Sequence, residues 1–253
     1  MDLNGKHALV TGGGSGIGAA IAVALAEAGA RVTVCGRRRE ALEEVRGRHA
    51  RITARQADVT GEQSVADLFA AARSDPGPVD IVVANAGAAE SAPFAKTDID
   101  HWRRMMAVNL DGVYLTLRAA MRDLADRPWG RIVSVASTAG LKGYPYVAAY
   151  CAAKHGVVGL TRALAVETAG SGLTVNAVCP GFADTPLLEA SIEKIVKQTG
   201  KSEDEVRGML AASNPMKRLI EPDEVARAVL WLVGPGSDAI TGQAISISGG
   251  ETW

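Results

Sequence analysis

The sequence predicts an α/β fold: a single-domain, Rossmann-like, doubly wound parallel sheet of about seven strands, with helices on both faces and a small helical lid. Three observations predict it. Apolar runs of strand length alternate with helical patterns along most of the chain. Several of those runs are nearly continuous Val, Ile, Leu and Ala, as strands buried on both faces require. The first run also opens into a glycine-rich turn that leads directly into a helix.

The first strand is expected at residues 7–10, followed by Thr11-Gly12-Gly13-Gly14-Ser15-Gly16-Ile17-Gly18. Ile17, Ile21, Ala24, Leu25 and Ala28 then keep helical spacing until Gly29 stops the helix. Further strands are expected at 31–35, 52–57, 79–84, 131–136, 174–179 and 244–247. Long helices are expected over about 99–125 and about 149–169. Residues 184–219 contain no strand, only two helical pieces around Thr199-Gly200-Lys201-Ser202. This excursion is expected to be a substrate lid within one dinucleotide-binding and catalytic domain spanning 1–253.

Composition narrows the function. The 253 residues are 47% hydrophobic and 22% charged, a globular profile. Lys and Arg (27) nearly balance Asp and Glu (28), and no basic stripe appears, which argues against nucleic acid or an anionic membrane as partner. No apolar run reaches the roughly 20 residues of a membrane helix. The start, Met1 to Lys6, reads as lacking a signal or transit segment. Cys35, Cys151 and Cys179 lack metal-ligand spacing, and no histidine-carboxylate cluster suggests a metal. Their low, odd count leads us to expect a reducing compartment, the cytoplasm.

The glycine turn lets the backbone approach a ligand, and the helix start offers free N–H groups to a pyrophosphate. Gly12, Gly16 and Gly18 are its anchors, although Gly14, Gly16 and Ala19 also match a Gly-x-Gly-x-x-Ala series. At the tip of the second strand stand Gly36, Arg37, Arg38 and Arg39, with no carboxylate to accept from a ribose 2′-OH. Guanidinium groups suit a 2′-phosphate, so NADP(H) is favoured through Arg37 and Arg38. Ser15 rather than a second basic group precedes Gly16, and NAD(H) is the alternative. Tyr150 and Lys154 lie four apart, on one helix face. An ammonium beside a phenol lowers its pKa and makes it a proton donor and acceptor. Taken alone, the pair is weak, because Tyr and Lys four apart on a helix are far more often structural than catalytic.

Its company decides. Thr11-Gly12-x-x-x-Gly16-x-Gly18, Asp58-Val59, Asn85-Ala86-Gly87, Asn109, Ser137, Tyr150-x-x-x-Lys154 and Pro180-Gly181 follow one another in this order. Over essentially the whole chain they resemble the short-chain dehydrogenase/reductase family. Two positions depart mildly: Ala84 replaces the first Asn of the usual Asn-Asn-Ala-Gly, and Ser248 stands where Asp often precedes Gly-Gly. The resemblance implies four catalytic residues. Tyr150 is the acid/base; Lys154 lowers its pKa and bonds the nicotinamide ribose; Ser137 orients the substrate oxygen; Asn109, in a long helix, helps hold a water linking Lys154 to solvent. It implies that Gly12, Gly16 and Gly18 hold the pyrophosphate, with Ile17 nearby. Asp58 and Val59 would contact adenine, Asn85 and Gly87 line the adenosine and ribose, and Pro180, Gly181 and Thr185 frame the nicotinamide. A homo-oligomer, dimer or tetramer, is also implied.

The loop between Ser137 and Tyr150 is mostly apolar and aromatic, and Leu141, Tyr144, Phe182, Leu187 and Leu188 are expected to line the substrate pocket. Family members acting on 3-hydroxybutyrate carry His and Lys in this loop for the free carboxylate; here stand Ala139 and Val147, which disfavours a small free acid. The runs 154–159 and 178–182 are similar to reductases of β-ketoacyl thioesters and polyketides. The expected reaction is reduction of a small-molecule ketone, a 3-oxoacyl thioester on CoA or acyl carrier protein. The rivals are an NAD-dependent oxidation of 3-hydroxyacyl-CoA or another secondary alcohol, and a non-catalytic dinucleotide sensor. A sensor would be expected to have lost Ser137, Tyr150 or Lys154, and all three are present. Lys194, Lys197 and Arg207 either meet CoA phosphates or form a solvated helix face.

Overall fold

The computed structural model describes residues 2–125 and 127–252. The chain alternates as expected: β1 (His7–Thr11), α1 (Gly16–Glu27), β2 (Arg31–Gly36), α2 (Arg39–Arg46), β3 (Ile52–Gln56), α3 (Glu62–Ser74) and β4 (Ile81–Ala84). It continues through α4 (Ile99–Met106), α5 (Gly112–Leu124), β5 (Gly130–Val135), α6 (Ala148–Glu167), β6 (Leu173–Pro180), α7 (Pro186–Thr199), α8 (Glu203–Ala211), α9 (Pro222–Val233) and β7 (Ala244–Ile247). The seven strands form one sheet in the order β3-β2-β1-β4-β5-β6-β7. Every pairing is parallel. The order reverses between β1 and β4, and such a switch point opens a crevice at the carboxyl ends of the strands.

Strand side chains alternate between two apolar layers, as a period of two demands. Ala8 and Val10 join the layer with α1, α2 and α9, while Leu9 between them joins the opposite layer. Ile81 and Val83 against Val82 and Ala84 repeat the pattern in β4. The first layer includes Ile21, Leu25, Leu42, Val229 and Leu232. The second includes Leu68, Phe69, Leu117, Val157 and Val158 beneath α3, α5 and α6. Cys35 and Cys179 are fully buried within it as small core residues. No helix among the described residues is long and apolar enough to cross a membrane.

The continuous helix expected over 99–125 is not one α-helix. A π turn, Ala107–Asp111, separates α4 from α5. Asn109 within it is fully buried, and its Nδ2 donates to the Met105 carbonyl at 3.0 Å and to the Ala88 carbonyl at 2.8 Å. One extra residue in the turn keeps both flanking helices packed while aiming an amide at the loop after β4. Apolar spacing carries no trace of a single wide turn.

Residues 184–219 form the expected pair of helices. Thr185 caps α7, Gly200 ends it with φ of 69°, and Ser202 with Glu205 makes a capping box on α8. Leu188, Ile192 and Val206 pack between the two helices. Arg207 ties the hairpin together by pairing with Asp184, Glu189 and Glu203. Leu25 is fully buried where α1 meets the sheet. Leu25→Ala is expected to lower stability by about 2–5 kcal/mol through lost burial and a residual cavity, read as a shift in the urea unfolding midpoint.

Candidate active site

The crevice at the switch point is held by a small polar knot. Thr11 Oγ1 accepts from the Asn85 and Ala86 amides, both at 3.0 Å. Asn85 Nδ2 donates to the carbonyls of Thr11 at 3.0 Å and Gly12 at 3.1 Å. The knot leaves no space for side chains in the turn. A Cβ on Gly18 would lie 2.3 Å from the Gly12 carbonyl oxygen and 2.4 Å from Asn85 Nδ2. Gly12 has φ of 64°, and a Cβ there would lie 2.8 Å from Ala86 Cα. Helix α1 starts without a capping side chain and without an acidic residue in its first turn. Its N–H groups and positive dipole end are therefore open to an anion, and the cradle fits a dinucleotide pyrophosphate. Ile17 in that first turn packs against the α1 core layer.

The residues expected to meet the adenosine lie at the tips of β2 and β3. Arg38 Nη2 donates to Ser15 Oγ at 3.3 Å, which sets both residues at the same corner. Asp58 is held below the usual carboxylate range, first by the Thr60 amide and hydroxyl and, more weakly, by the Arg37 charge. Its Oδ1 accepts from that amide at 3.0 Å and that hydroxyl at 2.8 Å. Val59 is buried, and a Cβ on Gly112 would come within 2.8 Å of it, so this residue anchors α5.

Ser137, Tyr150 and Lys154 meet at the carboxyl end of β5. Ser137 Oγ accepts from the Ala139 amide at 3.1 Å, which leaves its own proton to donate. Tyr150 and Lys154 share one face of α6, and the ammonium lies 5.6 Å from the centre of the phenol ring. Lys154 is buried, and its Nζ donates to the Val135 carbonyl at 2.8 Å. Lys154 is not among the influences on the Tyr150 pKa in this structure. Burial dominates, pushing Tyr150 up to about 12, while the Ser137 hydroxyl pulls against it. Burial also lowers Lys154 to about 8. Each group is driven toward its neutral form because a charge loses its hydration there.

Asn109 sits beside this group. Its Oδ1 accepts from the Ala88 amide at 3.1 Å, and a Cβ on Gly87 would lie 2.9 Å from that oxygen and 3.7 Å from Lys154 Nζ. Both of its amide hydrogens are committed to carbonyls, so it braces the loop after β4, and only its oxygen is left to accept from a water. Pro180 ends β6, and the Gly181 amide donates to Ile247 at 3.0 Å. A Cβ on Gly16 would meet the Thr185 methyl at 3.0 Å, so α7 begins against the glycine turn.

The five expected pocket residues divide. Tyr144 and Phe182 meet edge to face at 5.9 Å. Leu141 packs against the second core layer, and Leu187 is exposed. Leu188 lies inside the α7–α8 hairpin rather than facing the crevice. Of the three cations near the hairpin, Arg207 is occupied by three carboxylates, and Lys194 donates across to the Ser91 carbonyl at 2.6 Å. Lys197 stays on an exposed helix face. Two contributors were not read from the sequence. The Val135 carbonyl has no side-chain signature, and Glu251 directly follows the Ser248-Gly249-Gly250 stretch, which gives no sign of a buried carboxylate contact; its Oε1 accepts from the Tyr144 hydroxyl at 2.6 Å.

Comparison with known proteins gives a consistent picture. Residues 6–195 match a family model described as short chain dehydrogenase. The chain is 38% identical to the D-beta-hydroxybutyrate dehydrogenase of Rhizobium meliloti (strain 1021), with 98% of each chain covered. It is 40% identical to a putative ketoacyl reductase of Streptomyces coelicolor, over 96% of this chain and 95% of that one. Among solved structures, a variant of the actinorhodin polyketide ketoreductase with NADPH superimposes with a TM-score of 0.93 at 39% identity, covering 97% of each chain.

Two outcomes are expected from this geometry. Gly18→Ala pushes a methyl into the Gly12 carbonyl and the Asn85 amide, and should weaken dinucleotide binding at least about tenfold in a fluorescence titration. Lys154 keeps its proton to about 8 when folded but to 10.5, the ordinary value, when unfolded. Between those values the unfolded chain binds more protons, so folding stability rises with pH across that window. Lys154→Met should remove that rise in urea titrations run from about pH 8 to pH 10; an unchanged pH dependence would refute the assignment.

Proposed function

The chain belongs to the short-chain dehydrogenase/reductase family and so is a nicotinamide-dependent oxidoreductase acting between CH–OH and C=O groups; we propose that it reduces the ketone of a 3-oxoacyl thioester with NADPH. The observation that carries this reading is a protonated Tyr150 phenol set beside Ser137 and the Lys154 ammonium. A phenol raised to about 12 is fully protonated at neutral pH, ready to give its proton rather than to take one.

A nicotinamide cofactor, which the glycine turn and the start of α1 would hold by its pyrophosphate, would supply the hydride for the carbonyl carbon. Ser137, whose oxygen accepts from the Ala139 amide, has its hydroxyl proton to donate to the carbonyl oxygen. Tyr150 gives its proton to the same oxygen as negative charge develops there; an alkoxide is a stronger base than a phenolate, so the transfer runs downhill. Lys154, fixed by Val135 and still protonated at neutral pH, supplies a positive charge beside the phenolate as it forms. Asn109 holds Ala88 and thereby the loop that closes the Lys154 side.

Arg37 and Arg38 support NADP(H): both stand at the tip of β2, where no carboxylate is present to accept from a ribose 2′-OH, and Arg38 reaches Ser15. The ketoacyl reductase relative and the NADPH-bound neighbour agree with this. The hydroxybutyrate dehydrogenase relative supplies the rival substrate, a free 3-hydroxy acid. Ala139 and Val147 offer no cation for its carboxylate. The helices α7 and α8 act as the lid in this reading, with Lys194 spanning from α7 to the segment after β4. A cytoplasmic homo-oligomer, dimer or tetramer, completes the proposal, and the three free cysteines are in keeping with it.

Tyr150→Phe should lower kcat by about 10²–10⁴-fold while NADPH still binds, measured by nicotinamide absorbance and fluorescence. Undiminished turnover would remove Tyr150 as the acid. In a kcat/KM comparison of acetoacetyl-CoA with each cofactor, NADPH should be preferred, and Arg37→Ala with Arg38→Ala should reduce the preference at least about tenfold.

A further inference from the structure

Glu251 joins a cluster that the mechanism does not use. Its side chain is 1% exposed, yet it lies beside the only Lys or Arg in the stretch from Ser137 to Tyr150. Oε1 receives two donors: the Tyr144 hydroxyl at 2.6 Å and Lys142 Nζ at 3.0 Å. Thr138, adjacent to Ser137, shares a hydrogen bond of 2.7 Å with that same Tyr144 hydroxyl. Because the carboxylate only accepts, Tyr144 must donate to it, and Thr138 must donate to Tyr144. The other oxygen, Oε2, has no hydrogen-bond partner among the described residues and lies 3.1 Å from where a Cβ on Gly181 would stand. Burial and the neighbouring carboxylate raise the Tyr144 pKa well above its ordinary value, so the phenol stays a donor. The Lys142 ammonium also lies over the Tyr144 ring, 4.9 Å from its centre.

We propose that Glu251 determines substrate class: by fixing Tyr144 and cancelling the charge of Lys142, it makes the substrate-loop wall electrically neutral, suited to an uncharged acyl thioester and closed to a free carboxylate. The wall concerned is the one on which Tyr144 meets Phe182. Lys142 is 39% exposed, so an ammonium released from Glu251 can reach solvent and any anion entering the crevice. A 3-oxo acid differs from its thioester by one negative charge near the reacting carbonyl. An uncompensated Lys142 would attract that charge, whereas the ion pair offers it nothing. The inference rests on the ketone-reductase reading for its substrates and adds what selects among them.

The test compares acetoacetate with acetoacetyl-CoA, with NADPH, in wild type, Glu251→Gln and Glu251→Gln combined with Lys142→Ala. Gln keeps an oxygen for the Tyr144 hydroxyl but removes the charge. The kcat/KM ratio of acid to thioester should rise about five- to tenfold in Glu251→Gln, through a lower KM for acetoacetate, and should return to the wild-type value when Lys142 is also replaced. An unchanged ratio, or a gain that survives the loss of Lys142, overturns the proposal. Should the wild type turn over neither compound, the ketone reading fails, and hydrogen exchange of residues 138–147 decides for Glu251 alone. Faster exchange in Glu251→Ala than in Glu251→Gln supports the clamp on Tyr144; equal exchange in both overturns it.

Discussion

The Thr11 hydroxyl is the point from which the site hangs. It receives two successive amides from the segment after β4, while Asn85 returns hydrogen bonds to the carbonyl that ends β1 and the one that opens the glycine turn. These four bonds join the two central strands just where the sheet changes direction. Buried polar backbone groups must find partners, and here they find them without closing the crevice with secondary structure. The glycine turn, the start of α1 and the loop braced by Asn109 all take their positions from this knot. It also explains the glycines: Gly12 and Gly18 lie against the atoms of the knot itself, too close for a side chain.

Electrostatically, the site is defined by dehydration more than by attraction. Tyr150 and Lys154 are conventionally read as a charge pair, yet the ammonium lies beside the ring, and its direct bond runs to a carbonyl. The low-dielectric surroundings raise the phenol and lower the amine, which leaves both poised to respond when charge appears on a substrate oxygen. The same logic separates the two tyrosines of the crevice. Tyr150 faces a hydroxyl, whereas Tyr144 faces a carboxylate that holds its proton in place.

Much of this was legible in the sequence, and the reasons differ by feature. Strand positions were readable because each buried strand is apolar on both faces, so β2, β5 and β7 fall within a residue of where Val and Ile runs place them. The glycine turn was readable because close backbone approach admits one residue type. The π turn at Asn109 was not, since apolar spacing continues smoothly through it. Leu187 and Leu188 were both assigned to the pocket, but on a helix adjacent residues point about 100° apart. One is exposed and the other joins the hairpin core. Glu251 was invisible because its partners, Tyr144 and Lys142, are more than a hundred residues away along the chain.

The bond from Lys154 to Val135 has a consequence for how such a site can drift over generations. A main-chain oxygen does the holding, so any residue able to lie in β5 at that position supplies it equally well. Natural variation there answers to the packing of a side chain in the core layer and leaves the lysine undisturbed. A position essential to the chemistry can therefore vary freely in a family record, and substitution frequencies alone would rank it with ordinary core residues.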